Sequence, residues 1–264
     1  PRLRTAPDPR DVTEVAALLD GWKPKLIVLP FAGRAAELSR YNGDAKLVVA
    51  DSDPAVRVLW KMANEGRLAE AAATARERWD SVLGFWSDNA AEKLLRDRPP
   101  KNVATPERAR VRAAWERIRG LEARFSREGV DPVEYAAWAL AVGAGAIGGR
   151  RRRNGGGKVN IPYAPTYDRE WLPGRIASDE KMQAADEWSR GRVVDAPWED
   201  WRMAFGAADA CAGAPHAAGP GYPSVRWAEV AFLIDPPYGH EAGSVYDATW
   251  TDAERDALAR TTRA

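Results

Sequence analysis

Cysteine and histidine are nearly missing from this 264-residue chain, which has Cys211 as its one cysteine and His216 and His240 as its two histidines. A single cysteine excludes an internal disulfide and a zinc site built on cysteines. Two histidines exclude a multi-histidine metal centre, so no metal is expected. The sparse cysteine fits a reducing cytoplasm. No run of about 20 apolar residues and no signal-peptide pattern occurs, so no membrane partner is expected. A charge excess of either sign is also missing: 39 Lys and Arg face 38 Asp and Glu, a formal net charge of +1. Any nucleic-acid signal must therefore be local. The chain opens on Pro1, which fits either removal of an initiator Met or a start inside a longer protein.

The apolar pattern points to an α/β fold. Asp11 to Asp20 reads as a short helix with Val12, Val15, Ala16 and Leu19 on one face. "KLIVLP", Lys25 to Pro30, reads as a buried strand closed by proline, and "FAGRAAELSRY" follows as a tight loop and helix. "KLVVADSDP", Lys46 to Pro54, is a second buried strand that ends on acid. Pro54 suits the first turn of the next helix. This strand–helix–strand–helix order predicts a parallel sheet.

From about residue 65 to 145 the chain is rich in alanine and charge and is helical by period. Val111, Trp115, Ile118, Leu121 and Phe125 share a stripe, and Pro132 opens a helix carrying Tyr135 and Trp138. Gly143 to Asp168 is glycine-rich, then basic, then aromatic, and reads as a loop or hairpin rather than a helix interior. "GRVVDAPWEDW", Gly191 to Trp201, reads as a short strand, a turn and a helix. "WAEVAFLID" is the last expected strand, and "TDAERDALAR" the last expected helix. Three regions follow: 1–64 as the first part of the α/β domain, 65–190 as a mainly helical insertion with the loop 143–168, and 191–264 as the second part.

Three stretches carry candidate chemistry. The first is the loop after the first strand, where Phe31 offers a flat apolar surface and Gly33 lets backbone approach a ligand. An ordinary strand-to-helix turn uses the same residues. The second is Asp51 at the end of the second strand, suited to accept hydrogen bonds from ribose hydroxyls. Asp51 and Asp53 also compete for the role of cap on the following helix, and we assign the ligand to Asp51 and the cap to Asp53. The third is "DPPY", Asp235 to Tyr238. Proline cannot donate to a sheet ladder, so the strand stops there. The Asp235 carboxylate and the Pro236 carbonyl are two acceptors, Pro237 stiffens the turn, and Tyr238 presents a ring face. Two acceptors beside a stacking ring form a receptor for an exocyclic amino group on a flat heterocycle. The basic run Arg150, Arg151, Arg152 and Arg153, with Lys158, is the local nucleic-acid signal, although a solvated charge run has the same composition.

These stretches together resemble a known family. DPPY after an apolar strand looks like the catalytic motif of amino-group methyltransferases that use S-adenosylmethionine. "PFAG" at Pro30 to Gly33, then "VVAD" ending at Asp51, looks like the cofactor motifs of the Dam-like N6-adenine DNA methyltransferases. "RRNGGGKVNIPYA", Arg152 to Ala164, is similar to the segment those enzymes carry between the two sites. The resemblance covers roughly residues 25 to 264. It implies a Rossmann-like methyltransferase sheet with an inserted helical or hairpin DNA-recognition region. The family's N-terminal glycine-rich motif has no counterpart before Pro30, and the family continues with further strands after DPPY, so the sheet is expected to be incomplete at both ends.

The resemblance also implies site residues. Phe31 and Gly33 would border the methionine and ribose of S-adenosylmethionine, Asp51 would bind the ribose, and Asp200 and Trp201 would sit beside the cofactor's adenine. Asp235, which borders both substrates, and Pro236, Pro237 and Tyr238 would hold the target adenine. Arg150, Arg151, Arg152, Arg153, Asn154, Lys158, Asn160 and Tyr163 would contact double-stranded DNA. The implied setting is a bacterial or phage-encoded cytoplasmic enzyme. Two alternatives remain at this point: a methyltransferase of RNA or another amino group, and a non-catalytic DNA-binding remnant.

Overall fold

The computed structural model describes residues 9–33, 35–83, 130–145, 179–195, 197–212 and 223–234, together with 253, 256 and 257. Helix α1 (Pro9–Trp22) leads into strand β1 (Leu26–Leu29), a 3-10 turn (Ala36–Arg40), strand β2 (Lys46–Val49) and helix α2 (Pro54–Glu65). Helices α3 (Leu68–Leu83), α4 (Pro132–Gly145), α5 (Asp179–Ser189) and α6 (Trp201–Ala212) follow, and strand β3 (Val230–Phe232) comes after them. The fold is mixed α/β, with six helices and a three-stranded parallel sheet in the order β2-β1-β3 among the described residues.

The strands are short and apolar because both faces of the sheet are covered. Alternate residues therefore enter two different cores. Ile27, Leu29, Leu47 and Val49 join Leu19 of α1, Leu38 of the 3-10 turn, Trp60 of α2 and Trp188 of α5 on one face. Leu26, Val28, Val48 and Val230 join Ala204, Ala207, Ala208 and Cys211 of α6 on the other. Cys211 is fully buried, and burial raises its thiol pKa. It is thus a core residue and a poor thiolate.

The segment after α5 runs alongside β2 but forms two isolated parallel bridges, Leu47 to Val193 and Ala50 to Trp198, rather than a continuous strand. β2 advances three residues between those bridges while the segment advances five. The surplus bulges at Asp195, whose φ of 61° lies in the left-handed region. "GRVVDAPW" therefore pairs as expected of a strand, but with a break. A second difference lies after β1, where only the five-residue 3-10 turn forms in place of a helix. A third is at Gly143 to Gly145. These residues close α4 instead of beginning a loop, because α4 packs through Val133 and Ala136 against Met62 and Ala71. Tertiary packing there overrides the glycines' low helix propensity. The remainder of the glycine-rich stretch and the 111–125 stripe lie outside the described residues. Of the expected last helix, residues 253, 256 and 257 are described and are helical. No helix among the described residues is long and apolar enough to cross a membrane.

Polar ties join the helices of the insertion to one another and to the end of α2. Asp186 is buried on α5, and its two carboxylate oxygens accept the N–H groups of Leu68 at 2.7 Å and Ala69 at 2.9 Å. These are the first amides of α3, which have no partner inside their own helix. Asp186 thus caps α3 from 117 residues further along the chain. Ser189 Oγ donates to the Ala63 carbonyl, and the Asn64 side chain accepts the Val193 N–H at 2.9 Å. Asp186→Ala strands two partly buried donors and is expected to cost roughly 2 kcal/mol in urea unfolding. Asp186→Asn, which keeps one acceptor, should lose less.

β3 is introduced by a second clamp. Glu229 accepts the Arg226 N–H at 2.9 Å and pairs with the Arg226 guanidinium at 3.0 Å and the Lys25 ammonium at 2.9 Å. The Arg226 hydrogen bonds come first among the causes that lower its carboxyl to about 2. A depressed carboxyl stabilises the fold above the ordinary carboxylate range, and that contribution is lost as pH falls toward 2. An NMR titration of Glu229 should therefore find its midpoint near 2. The stability difference between wild type and Glu229→Gln should shrink as pH is lowered from about 4 toward that midpoint.

Candidate functional site

In a parallel sheet the loops that follow the strands gather at one edge. The best-placed crevice lies where the chain reverses its direction of travel across the sheet. Here the chain moves outward from β1 to β2 and to the 193–198 segment, then crosses under α6 to place β3 on the far side of β1. The reversal point is therefore between β1 and β3, beside the loop that carries Phe31 and Gly33.

Asp51 joins the two neighbouring loops. Its Oδ2 accepts the Gly33 N–H at 2.8 Å and its Oδ1 accepts the Asp53 N–H at 2.8 Å. Its own N–H donates to the Trp198 carbonyl at 2.9 Å, and Ala32 donates to the Ala50 carbonyl at 2.9 Å. Three chain segments thus meet at this one partly buried residue. Asp53, two residues on, accepts the Ala55 N–H at 2.9 Å and is the N-cap of α2, with Pro54 at the first helical position. Asp53 is the helix cap that the sequence pattern assigns it, while Asp51 ties the two loops together.

Gly33 has a φ of +47°, and a Cβ built on it meets no described residue within 4 Å. The backbone conformation favours glycine, and no described residue fills the space above it. Phe31 is half-buried, with its ring centroid 6.2 Å from that of Trp201. Trp201 in turn meets Phe205 edge-on at 5.7 Å. Ile234, which follows β3, and Ala257 pack into the same cluster. Asp200 caps α6: its carboxylate accepts the Arg202 N–H at 2.9 Å and pairs with the Arg202 guanidinium at 3.3 Å. That guanidinium also lies 4.6 Å from the centre of the Trp201 ring.

Of the residues expected at the cofactor site, Phe31 and Trp201 are in one cluster, while Gly33 and Asp51 are bonded to each other. Asp200 is beside Trp201 but is engaged as a helix cap. Asp235, Pro236, Pro237 and Tyr238 lie outside the described residues. So do Arg150, Arg151, Arg152, Arg153, Asn154, Lys158, Asn160 and Tyr163.

No protein-family model matches this chain, and no curated protein matches it.

The arrangement offers a carboxylate held by backbone donors, an open glycine turn and an aromatic wall at one sheet edge. This set suits a ligand with hydroxyls on one side and an apolar or flat group on the other. Among the described residues no three His, Cys, Asp or Glu side chains come together as metal ligands. The sequence reading missed Arg57 and Trp60, two side chains of α2 that reach the backbone of these loops. No sequence signal marks them, because their partners are backbone carbonyls.

Gly33→Ala places a side chain in the left-handed region with no steric clash. The expected loss is about 1 kcal/mol of stability, from backbone conformation alone, read by urea unfolding. A loss several times larger would mean that the added methyl does meet a neighbour.

Proposed function

We propose that this protein transfers a methyl group from S-adenosylmethionine to the N6 amino group of adenine in duplex DNA. The observation that carries the reading is the Asp51–Gly33 bond beside the β1–β3 reversal point, with β3 continuing in sequence directly into DPPY. The described order, with the 193–198 segment, β2, β1 and β3 side by side, is compatible with the 3-2-1-4 portion of a Rossmann-like sheet. Ile234, the residue that Asp235 follows in the chain, packs against Trp201, as does Phe31. That contact supports one shared pocket for the cofactor motifs and the catalytic motif.

The described residues fit the cofactor. The Asp51 carboxylate, fixed by the Gly33 and Asp53 N–H groups, is the acceptor to which this reading assigns the ribose hydroxyls. The open space at Gly33 admits close approach of a ligand to backbone, and Phe31 and Trp201 supply an apolar wall. S-adenosylmethionine supplies an electrophilic methyl on a sulfonium.

In this reading the protein's own work is alignment. An adenine amino group inside a duplex is inaccessible, so the base is flipped into the pocket. Tyr238 stacks on the flipped base. The Asp235 carboxylate and the Pro236 carbonyl accept the two N6 hydrogens and favour the geometry in which the nitrogen lone pair points at the methyl. Transfer would form the N–C bond as the methyl's bond to sulfur breaks, leaving S-adenosylhomocysteine, with the surplus N6 proton passing to solvent. Positive charge disperses from sulfur during the transfer, so orientation supplies more of the rate than charge stabilisation does. The basic run from Arg150 to Arg153 with Lys158 follows the phosphate backbone.

Tritium transfer from labelled S-adenosylmethionine to unmethylated duplex DNA tests this, with Asp235→Ala beside the wild type. Label on adenine that falls by about 100-fold or more in the variant, with DNA affinity changed less than about twofold, is the expected result. No label from the wild type on DNA overturns the proposal. Label on structured RNA alone moves the activity to the RNA alternative, and salt-dependent DNA binding without S-adenosylmethionine binding identifies a non-catalytic remnant.

A further inference from the structure

Helix α2 reaches back over both loops of the candidate site. Arg57 and Trp60 lie three residues apart on it, on neighbouring positions of one helical face. The Arg57 guanidinium donates through one nitrogen to the Asp51 carbonyl at 2.8 Å and to the Ser52 carbonyl at 3.0 Å. Its other terminal nitrogen is 3.9 Å from the Glu199 carboxylate, on the segment that leads to Asp200. The Trp60 indole N–H donates to the Gly33 carbonyl at 3.2 Å, and its ring packs against the Ile27, Leu29 and Leu47 core. Arg57 therefore holds the loop after β2, and Trp60 holds the loop after β1. The Asp51–Gly33 bond closes the circuit between them.

We infer that Arg57 and Trp60 are positioning residues that set the geometry of the Asp51–Gly33 pair for ligand binding. The inference rests on the cofactor reading above and deepens it. Several features fit positioning better than general support. Both side chains bond to backbone carbonyls, which carry no information about neighbouring side chains and fix only the path of the loop. Those carbonyls belong to Gly33, Asp51 and Ser52, all within the two loops. A helix is also a stiff mount. The N-terminus of α2 is pinned by the Asp53 cap, its C-terminus ends on Gly66 at φ 72°, and Ala55, Val56, Met62 and Ala63 are buried along it. Both loops are thus tied to one helix. The site is thereby coupled to the helical insertion, because the same α2 packs through Met62 against Ala71 of α3 and Val133 of α4.

The test uses Trp60→Phe, which keeps the packed ring and loses the N–H, and Arg57→Met, which keeps the apolar stem and loses the guanidinium. Arg57→Lys serves as the partial rescue. Two readouts are taken on the full chain. The first is amide hydrogen exchange at Gly33 and Asp53, the two donors to the Asp51 carboxylate, with Val48 in β2 as the internal reference. The second is S-adenosylmethionine affinity by calorimetry. The expected result is faster exchange at Gly33 and Asp53 with Val48 unchanged, and affinity about 3- to 10-fold weaker in each variant, partly restored in Arg57→Lys. Unchanged exchange at Gly33 and Asp53 overturns the inference, as does faster exchange at Val48 to the same degree, which marks a general loss of stability. Altered loop exchange with unchanged affinity also overturns it. Altered loop exchange in the variants of a protein whose wild type binds no S-adenosylmethionine supports the clamp and overturns the methyltransferase reading instead.

Discussion

The carboxylate of Asp51 is the constraint around which the described site is arranged. A loop that leaves a parallel strand must satisfy its first amides without a sheet partner, and water is a poor partner where the loop is partly buried. Gly33 turns its N–H toward the neighbouring loop by adopting a left-handed conformation, and Asp51 is there to accept it at 2.8 Å. The same group accepts the Asp53 N–H, which orients the chain for the cap that starts α2. Remove the acid and two loops lose a common acceptor. The position of the acid depends in turn on register. Leu26 to Leu29 pair one to one with Lys46 to Val49, so the two strands end level and their loops emerge side by side.

The helical insertion raises a different physical problem. More than 100 residues separate α2 from the segment that pairs with β2, yet that segment returns to the strand next door. Closing so long a loop costs only slightly more entropy than closing a short one, since the cost grows with the logarithm of length. Local clamps then make the return specific. Gly191 donates to the Asn64 carbonyl at 2.9 Å, Val193 donates to the Asn64 side chain, and Lys46 Nζ donates to the Gly191 carbonyl at 2.7 Å. The Arg192 guanidinium reaches the Gly43 carbonyl and lies over the Trp188 ring. The insertion thus leaves from α2 and comes back beside the end of α2, so it can be long without disturbing the sheet.

What was legible in the sequence follows from which interactions are local. "LIVL" and "KLVV" read as strands because parallel strands covered on both faces need unbroken apolar runs. Asp53-Pro54 read as a helix start because cap and first turn are adjacent in sequence. The α1 face read correctly because Val12, Ala16 and Leu19 follow the helical period. The bulge at Asp195 was not legible, since it records a mismatch with β2 rather than a preference of its own residues. Nor was the ending of α4 on glycines, which depends on packing against α2 and α3. Asp186 went unread for the same reason: its partners, Leu68 and Ala69, are on another helix far away in sequence. At the candidate site, Gly33 and Asp51 were legible through their places at strand ends. Arg57 and Trp60 act on backbone carbonyls, and no residue type marks a carbonyl that needs a donor.

The arrangement also explains why two acids two residues apart need not compete. Asp53 lies in extended backbone just before Pro54, so its side chain folds forward over the first amides of α2. Asp51 still belongs to the sheet through its N–H to Trp198, so its side chain is directed by strand geometry and not by the helix. Ser52 between them absorbs the change of direction, and its carbonyl accepts from Arg57. A carboxylate fixed this way has little rotamer freedom left to lose when a ligand arrives, and a preorganised acceptor binds hydroxyl donors with a smaller entropic cost than a mobile one. The backbone bonds at Asp51 hold its carboxylate between the loops that follow β1 and β2.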